Sequence, residues 1–126
     1  MDVRHHIATE FHSALTTGDK DRLRAVLDPA VTWTLPGNNA VSGRVDGAEA
    51  VLDRAALIAS YGVDFALEHV LVSADNVALG LHNTARRGDR VLDEHLATVC
   101  RIGDGRIVEI ETYLSDEPGM NAFFGA

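Results

Sequence analysis

The stretch from Gly62 to Asp116 constrains the fold more than any other part of the chain. Short breaks divide it into four runs rich in Val, Ile, Leu and Thr, the composition of half-buried sheet. The breaks fall at Ala74-Asp75-Asn76, at Gly88-Asp89 between two arginines, and at Asp104-Gly105 between Gly103 and Arg106. Gly-X suits a type II′ hairpin turn and Asp-Gly a type I′ turn, because each needs φ > 0 where Gly or Asp tolerates it. Four antiparallel strands joined by tight turns are therefore expected, and tight turns fix register.

With Gly88-Asp89 as a turn, Arg87 faces Arg90, Thr84 faces Asp93 and His82 faces His95. With Asp104-Gly105 as a turn, Asp93 faces Asp116 and His95 faces Leu114. The first turn is either Asp75-Asn76, which sets His69 opposite His82, or Ala74-Asp75, which sets Leu67 there; the face is the same in both. Side chains alternate along a strand. One face is then expected to carry Val63, Phe65, Leu67, His69 and Leu71; Ala78, Gly80, His82 and Thr84; Asp93, His95, Ala97 and Val99; and Ile110, Thr112, Leu114 and Asp116. The other carries Val70, Val72, Leu79, Leu81, Leu92, Leu96, Cys100, Ile107 and Tyr113, with Glu68, Glu94, Glu109 and Glu111. Both faces are apolar enough to need cover. The first reads as a pocket under helices, the second as a surface for a partner subunit.

Ahead of the sheet, Val3, Ile7, Ala8, Phe11, Ala14 and Leu15 recur at helical spacing, predicting a helix over 2–17. Gly18 closes it, Asp19 caps a second helix with Leu23, Val26 and Leu27 inward, and Asp28-Pro29 stops that helix. Residues 30–35 read as a short strand ended by Pro36-Gly37. The loop from Asn38 to Gly43 is polar and small, and reads as mobile or lid-like. A third helix is expected over 48–60. After the sheet, Asp116-Glu117-Pro118 reads as the start of a short terminal helix, with Asp as cap and Pro in the first turn. Helices segregated ahead of a strongly curved antiparallel sheet make an α+β domain, a cone with one open end, spanning residues 1–126 as a single unit.

Composition narrows the partners. The net charge is −8, with no basic stripe, which speaks against nucleic acid or an anionic membrane. No apolar run approaches the roughly 20 residues of a membrane-spanning helix. The first fifteen residues carry Asp2, Arg4, His5, His6 and Glu10 and do not read as a leader. One cysteine, Cys100, excludes an internal disulfide and fits a reducing compartment, so the cytoplasm is expected.

Across nearly its whole length the chain resembles the nuclear transport factor 2-like superfamily, and within it the SnoaL-like polyketide cyclase group. The resemblance rests on Phe11, Ala14-Leu15 and Gly18-Asp19 with Leu23 and Leu27; on Val31-Thr32-Trp33 followed by Pro36-Gly37; on Gly43, Gly47 and Val51; and on Gly103-Asp104-Gly105-Arg106-Ile107-Val108-Glu109 followed by Tyr113-Leu114-Ser115-Asp116. It implies a cone-shaped α+β barrel with three N-terminal helices and a deep pocket for a small hydrophobic ligand. It also implies no cofactor, no metal, and a homodimer through the outer sheet face. It does not fix a reaction. Where ketosteroid isomerases keep a carboxylate before the Pro-Gly turn, this chain has Leu35. Where limonene-epoxide-hydrolase-like members carry an Arg two residues from an Asp, it has His95 two residues from Asp93.

The residues themselves suggest proton transfer. His82 and His95 on adjacent strands, about 4.8 Å apart, could act as general acid and base near neutral pH. Asp93 and Asp116 facing each other would separate in pKa, and either could orient a histidine; Asp116 also has the position of a helix cap. Trp33, Phe65, Leu67, His69, Thr112 and Leu114 are expected to line the substrate pocket. His69, His82 and His95 fall in one row, a donor set that brings zinc to mind, but collinear strand positions make a poor tetrahedral site. The expected function is a cofactor-independent cyclase, isomerase or dehydratase. The alternatives are a non-catalytic ligand-binding or dimeric adaptor protein, and an epoxide-hydrolase-like enzyme.

Overall fold

The computed structural model describes residues 2–125. Helix α1 spans Val3–Thr17; Asp2 caps it by accepting from Arg4 N–H, and Gly18 ends it at φ 70°. Asp19 caps α2, Lys20–Val26. The chain then passes directly into β1, Leu27–Leu35, followed by β2 (Gly43–Asp46), α3 (Ala48–Ser60), β3 (Asp64–Val72), β4 (Asn76–Arg87), β5 (Arg90–Gly103), β6 (Arg106–Leu114) and α4 (Glu117–Phe123). The curved open sheet has the order β2-β1-β6-β5-β4-β3, with β1 and β6 parallel and all other neighbours antiparallel. This is the α+β class expected. None of the described helices is long and apolar enough to cross a membrane.

Three features of the first half depart from expectation. The first strand begins at Leu27, and Pro29 falls in the interval between Leu27 and Thr32 where pairing to β6 shifts. A residue without an N–H is tolerated where the ladder is interrupted. Gly43–Asp46 is a further strand on β1, with Leu35 opposite Gly43 and Thr32 opposite Asp46. The segment before it is fastened rather than lid-like. Ala40 N–H donates to Phe124 O at 3.0 Å, Asn121 Oδ1 accepts from Asn38 N–H and from Asn39 Nδ2, and Val41 is buried.

The β4–β5 hairpin has the anticipated register, with Arg87 opposite Arg90 and His82 opposite His95. Gly88 has φ 59°. The β5–β6 turn places Asp104 at φ 51° and Gly105 at φ 76°, both left-handed as a type I′ turn requires. Close to that turn Gly103 pairs with Arg106 and Ile102 with Ile107. A bulge then inserts one residue, so that Arg101 faces Glu109 and Thr98 faces Thr112. A second bulge lies in β3: Leu67 faces Leu81, but His69 faces Gly80, leaving Glu68 without a direct partner. One extra residue reverses the alternation of faces along the rest of a strand. The face drawn from uninterrupted register therefore mixes two sides of the sheet.

The side packed against the helices carries Val77, Leu79 and Leu81 of β4, Leu92, Glu94, Thr98 and Cys100 of β5, and Ile107, Ile110 and Thr112 of β6, all buried. Ile7, Ala8, Phe11 and Ala14 of α1 and Val51, Leu52 and Ile58 of α3 complete the core. The row expected to meet a partner subunit, from Leu79 to Ile107, is thus the core itself. Glu94, expected on the outer side, is also buried. Its Oε2 accepts from Ser115 N–H at 2.7 Å, Asp116 N–H at 2.9 Å and the Ser115 hydroxyl, tying the end of β6 to the start of α4.

Two outcomes follow for the core. Replacing Glu94 by Leu leaves two backbone donors and a hydroxyl without their acceptor. It should lower unfolding free energy in urea by about 2–3 kcal/mol, whereas Glu111→Ala on the exposed side should change it by no more than about 0.5 kcal/mol. Burial pushes the Cys100 thiol up to about 12. A disulfide reagent such as Ellman's should leave it unlabelled in the native protein and label one thiol per chain once denaturant exposes it.

Candidate functional site

A recess opens between the helices and the concave side of the sheet. Its walls are aromatic and aliphatic: Phe11 and Leu15 of α1, Trp33 and Leu35 of β1, Ala55 and Ile58 of α3, Phe65 of β3, Leu81 and Leu92 of the central hairpin, and Met120 and Phe124 at the C-terminal end. Leu96, Asn83, Thr98 and Thr112 complete the lining. The cavity volume is about 40 Å³.

The polar groups of the recess are few and neutral. Trp33 Nε1–H donates to Thr112 Oγ1 at 3.1 Å, and Thr112 Oγ1 lies 3.3 Å from Thr98 Oγ1. These three come from β1, β6 and β5, and the β6 bulge is what sets Thr112 opposite Thr98. Asn83 stands apart. Only 8% of it is exposed, yet its Oδ1 has no hydrogen-bond partner. A buried amide oxygen left unpaired costs about 1–3 kcal/mol, so a donor brought into the recess would be stabilised there. None of the described lining residues carries an ionisable side chain.

Behind Trp33 lies a buried cation. The Arg54 guanidinium sits 5.2 Å from the Trp33 ring centroid and donates to Ser42 O at 3.1 Å and to Trp33 O at 3.4 Å. No carboxylate pairs with it among the described residues, and burial lowers its pKa from the usual arginine value. The guanidinium ties α3 to the segment after Pro36 and fixes the back of the Trp33 wall.

The structure divides the residues singled out from sequence. Trp33, Phe65 and Thr112 line the recess. Leu67 and Leu114 pack against the core outside it. His69 lies on the convex side, its Cβ over Gly80. His82, His95 and Asp93 are also on the convex side, away from the recess, because β4 and β5 bury their alternate residues. Asp116 does not meet Asp93: it caps α4 by accepting from Gly119 N–H at 3.0 Å. Asn83, Thr98, Leu81 and Leu92 were missed. A signal was present: Leu79, Leu81 and Asn83 of β4, with Leu92 and Leu96 on the same side of β5, offer far more apolar volume than the opposite row of Ala78, Gly80 and Ala97.

On the convex side the two imidazoles stack, with centroids 4.1 Å apart and planes 11° from parallel. His82 Nε2 lies 2.5 Å from Asp93 Oδ1, and His95 Nδ1 lies 3.6 Å from Glu68 Oε1. The hydrogen bond from His82, followed by the nearby charge, holds the Asp93 carboxyl below the usual carboxylate range. A depressed folded pKa means that the stabilisation from this pairing is present above the unfolded value. It is lost as pH falls through the folded one. In a carbon-detected NMR titration Asp93 should titrate below about 3.9, and His82→Ala should move its midpoint upward.

Comparison with known proteins agrees with this architecture. The family model for the SnoaL-like domain matches residues 8–110. An uncharacterized protein of Mycobacterium tuberculosis is 28% identical over 116 residues, covering 89% of this chain and 88% of that one. Among solved structures, Bal32a from a soil-derived mobile gene cassette superposes with a TM-score of 0.92 at 25% identity, covering 97% of this chain and 96% of that one. A protein of unknown function with a cystatin-like fold from Xanthomonas campestris superposes at 0.88 with 28% identity, and the match covers 100% of both chains. This chain belongs to the SnoaL-like domain family.

Proposed function

We propose that this chain is a small-molecule-binding protein whose recess takes a planar, largely apolar ligand carrying one hydrogen-bond donor. The observation that carries the reading is Asn83: a buried, unpartnered amide oxygen on a largely aliphatic and aromatic wall whose threonine hydroxyls have partners. Trp33, Phe65, Phe11 and Phe124 suit a flat ring, since aromatic pairs gain about 0.5–1.5 kcal/mol beyond the area they bury. Each member of the Thr98–Thr112–Trp33 chain has a partner within the chain, whereas Asn83 Oδ1 is an acceptor with none. Met120, unbranched and flexible, is the wall element best able to yield as a ligand enters.

Binding without proton transfer is favoured over an acid–base enzyme for a physical reason. A general acid or base must come within hydrogen-bond reach of the substrate atom it serves, about 2.6–3.2 Å. His82, His95 and Asp93 lie across the sheet from the recess, and the described lining supplies neutral groups only.

Trp33 is the one tryptophan of the chain, so its emission reports on the recess directly. Titration with p-cresol should change that emission saturably. p-Cresol should bind several-fold more tightly than p-xylene of the same shape, as expected for one net hydrogen bond of about 0.5–1.5 kcal/mol. In Asn83→Leu the preference for the hydroxyl should vanish while p-xylene still binds. Saturable binding of neither compound, or an unchanged preference in the variant, would refute the reading.

A further inference from the structure

We infer that the convex face of the sheet carries a divalent transition-metal site, with His82, His95 and Glu68 as its protein ligands and Zn²⁺ as the ion that fits them. The proposal is independent of the recess, which lies on the other side of the sheet.

Three strands build the donor set. His82 of β4 and His95 of β5 are direct cross-strand partners, so their Cβ atoms are held at one fixed spacing by the ladder. Glu68 arrives by way of the β3 bulge. Ala66 faces His82 and His69 faces Gly80, so Glu68 is the inserted residue between them, and a bulge re-aims a side chain in this manner. One ligand atom from each of the three residues falls within 4.8 Å of those of the other two. Tetrahedral zinc with bonds of about 2.0–2.2 Å needs its donors roughly 3.3 Å apart. The donors must close by about an ångström, and the His95 ring must turn out of its parallel stack on His82, because ring-nitrogen lone pairs lie in the ring plane. His95 and Glu68 are free to move in this way, with 61% and 45% of their side chains exposed. His69, which a straight register would have put in the row, is replaced in the set by a carboxylate one residue earlier.

The surroundings support a metal better than an ordinary ion pair. A single imidazole and a single carboxylate suffice for a surface ion pair, and such a pair contributes little. Here a second imidazole lies beside the first, with ring centroids 4.1 Å apart, and a second carboxylate, Asp93, is hydrogen-bonded to His82 Nε2 at 2.5 Å. A carboxylate behind a ligating histidine fixes its tautomer and ring orientation. Asp93 is accordingly the positioning residue of the site. Two imidazoles and one carboxylate favour Zn²⁺ over the oxygen-seeking Mg²⁺ and Ca²⁺. With three protein ligands on an exposed face, the fourth position is left to water.

The test is calorimetric titration of the untagged full chain with Zn²⁺ alone, and with Co²⁺ as a spectroscopic substitute. One equivalent per chain should bind, and Co²⁺ should show the visible bands of a tetrahedral site. His82→Ala and His95→Ala should each abolish saturable binding. Asp93→Asn should weaken it by about 10–100-fold, as loss of an orienting carboxylate does. The His5→Gln/His6→Gln double variant should bind as the parent does. Thermal unfolding of each variant in chelator checks that the fold is intact, and the exposed positions make near-parental values the expected result. The proposal is overturned if Zn²⁺ uptake is absent or unsaturable, if it survives both His82→Ala and His95→Ala, or if it disappears in the His5→Gln/His6→Gln variant.

Discussion

Burial of one aliphatic row on the concave side of the sheet is the constraint on which the rest of the molecule depends. Val77, Leu79 and Leu81 on β4, Leu92 and Cys100 on β5, and Ile107 and Ile110 on β6 are withdrawn from water together under Phe11, Val51, Leu52 and Ile58. Each large aliphatic side chain so buried contributes about 1.5–3 kcal/mol. The opposite rows of β4 and β5 offer Ala78, Gly80, Ala97 and two histidines, a much smaller apolar payload. The choice of inward face is therefore decided by side-chain volume, and every assignment of a residue to recess or to solvent is a consequence of it.

The recess inherits its chemistry from that choice. Because the inward row brings Asn83 and Thr98 rather than His82 and Asp93 to the recess, the lining of the recess is neutral. Its hydroxyls and indole are linked to one another, and the Asn83 amide oxygen is left without a partner. Arg54, a buried cation over the Trp33 ring, donates to the backbone carbonyls of Trp33 and Ser42. The segment after Pro36 is held by this arginine from one side and by Asn121 of α4 from another, so the wall around Trp33 is braced by side chains from β6's downstream helix as well as from α3.

The two bulges give the sheet its two-sidedness. In β3 the insertion at Glu68 lets Phe65 and Leu67 face the core while Glu68 and His69 both face outward. In β6 the insertion after Ile107 brings Ile110 and Thr112 to the inside and leaves Glu109 and Glu111 outside. The same local irregularity thus serves burial on one side and assembles a group of imidazoles and carboxylates on the other. Such a group could not form in the core without the large desolvation cost of buried charge.

Local chemistry made much of the scaffold legible. Gly18, Asp19, Asp116 with Pro118, Gly88 and Asp104-Gly105 act through their own backbone preferences and neighbouring N–H groups, so helix ends, hairpin turns and the His82–His95 pairing could be read from residues a few positions apart. The α+β class followed from their order. Trp33, Phe65 and Thr112 could be placed near a cavity because their strands keep inward parity where it matters. Counting from the turns linked β4 to β5 correctly but joined them to the wrong faces of β3 and β6, since a single unpaired residue, at Glu68 or Val108, inverts the count across those pairs and no local signal marks it. Short-range preferences in the sequence determined where the chain turns and what pairs with what; only the packing of the whole sheet against α1 and α3 decided which side was inside, because that depends on the summed volume of side chains that meet across the core.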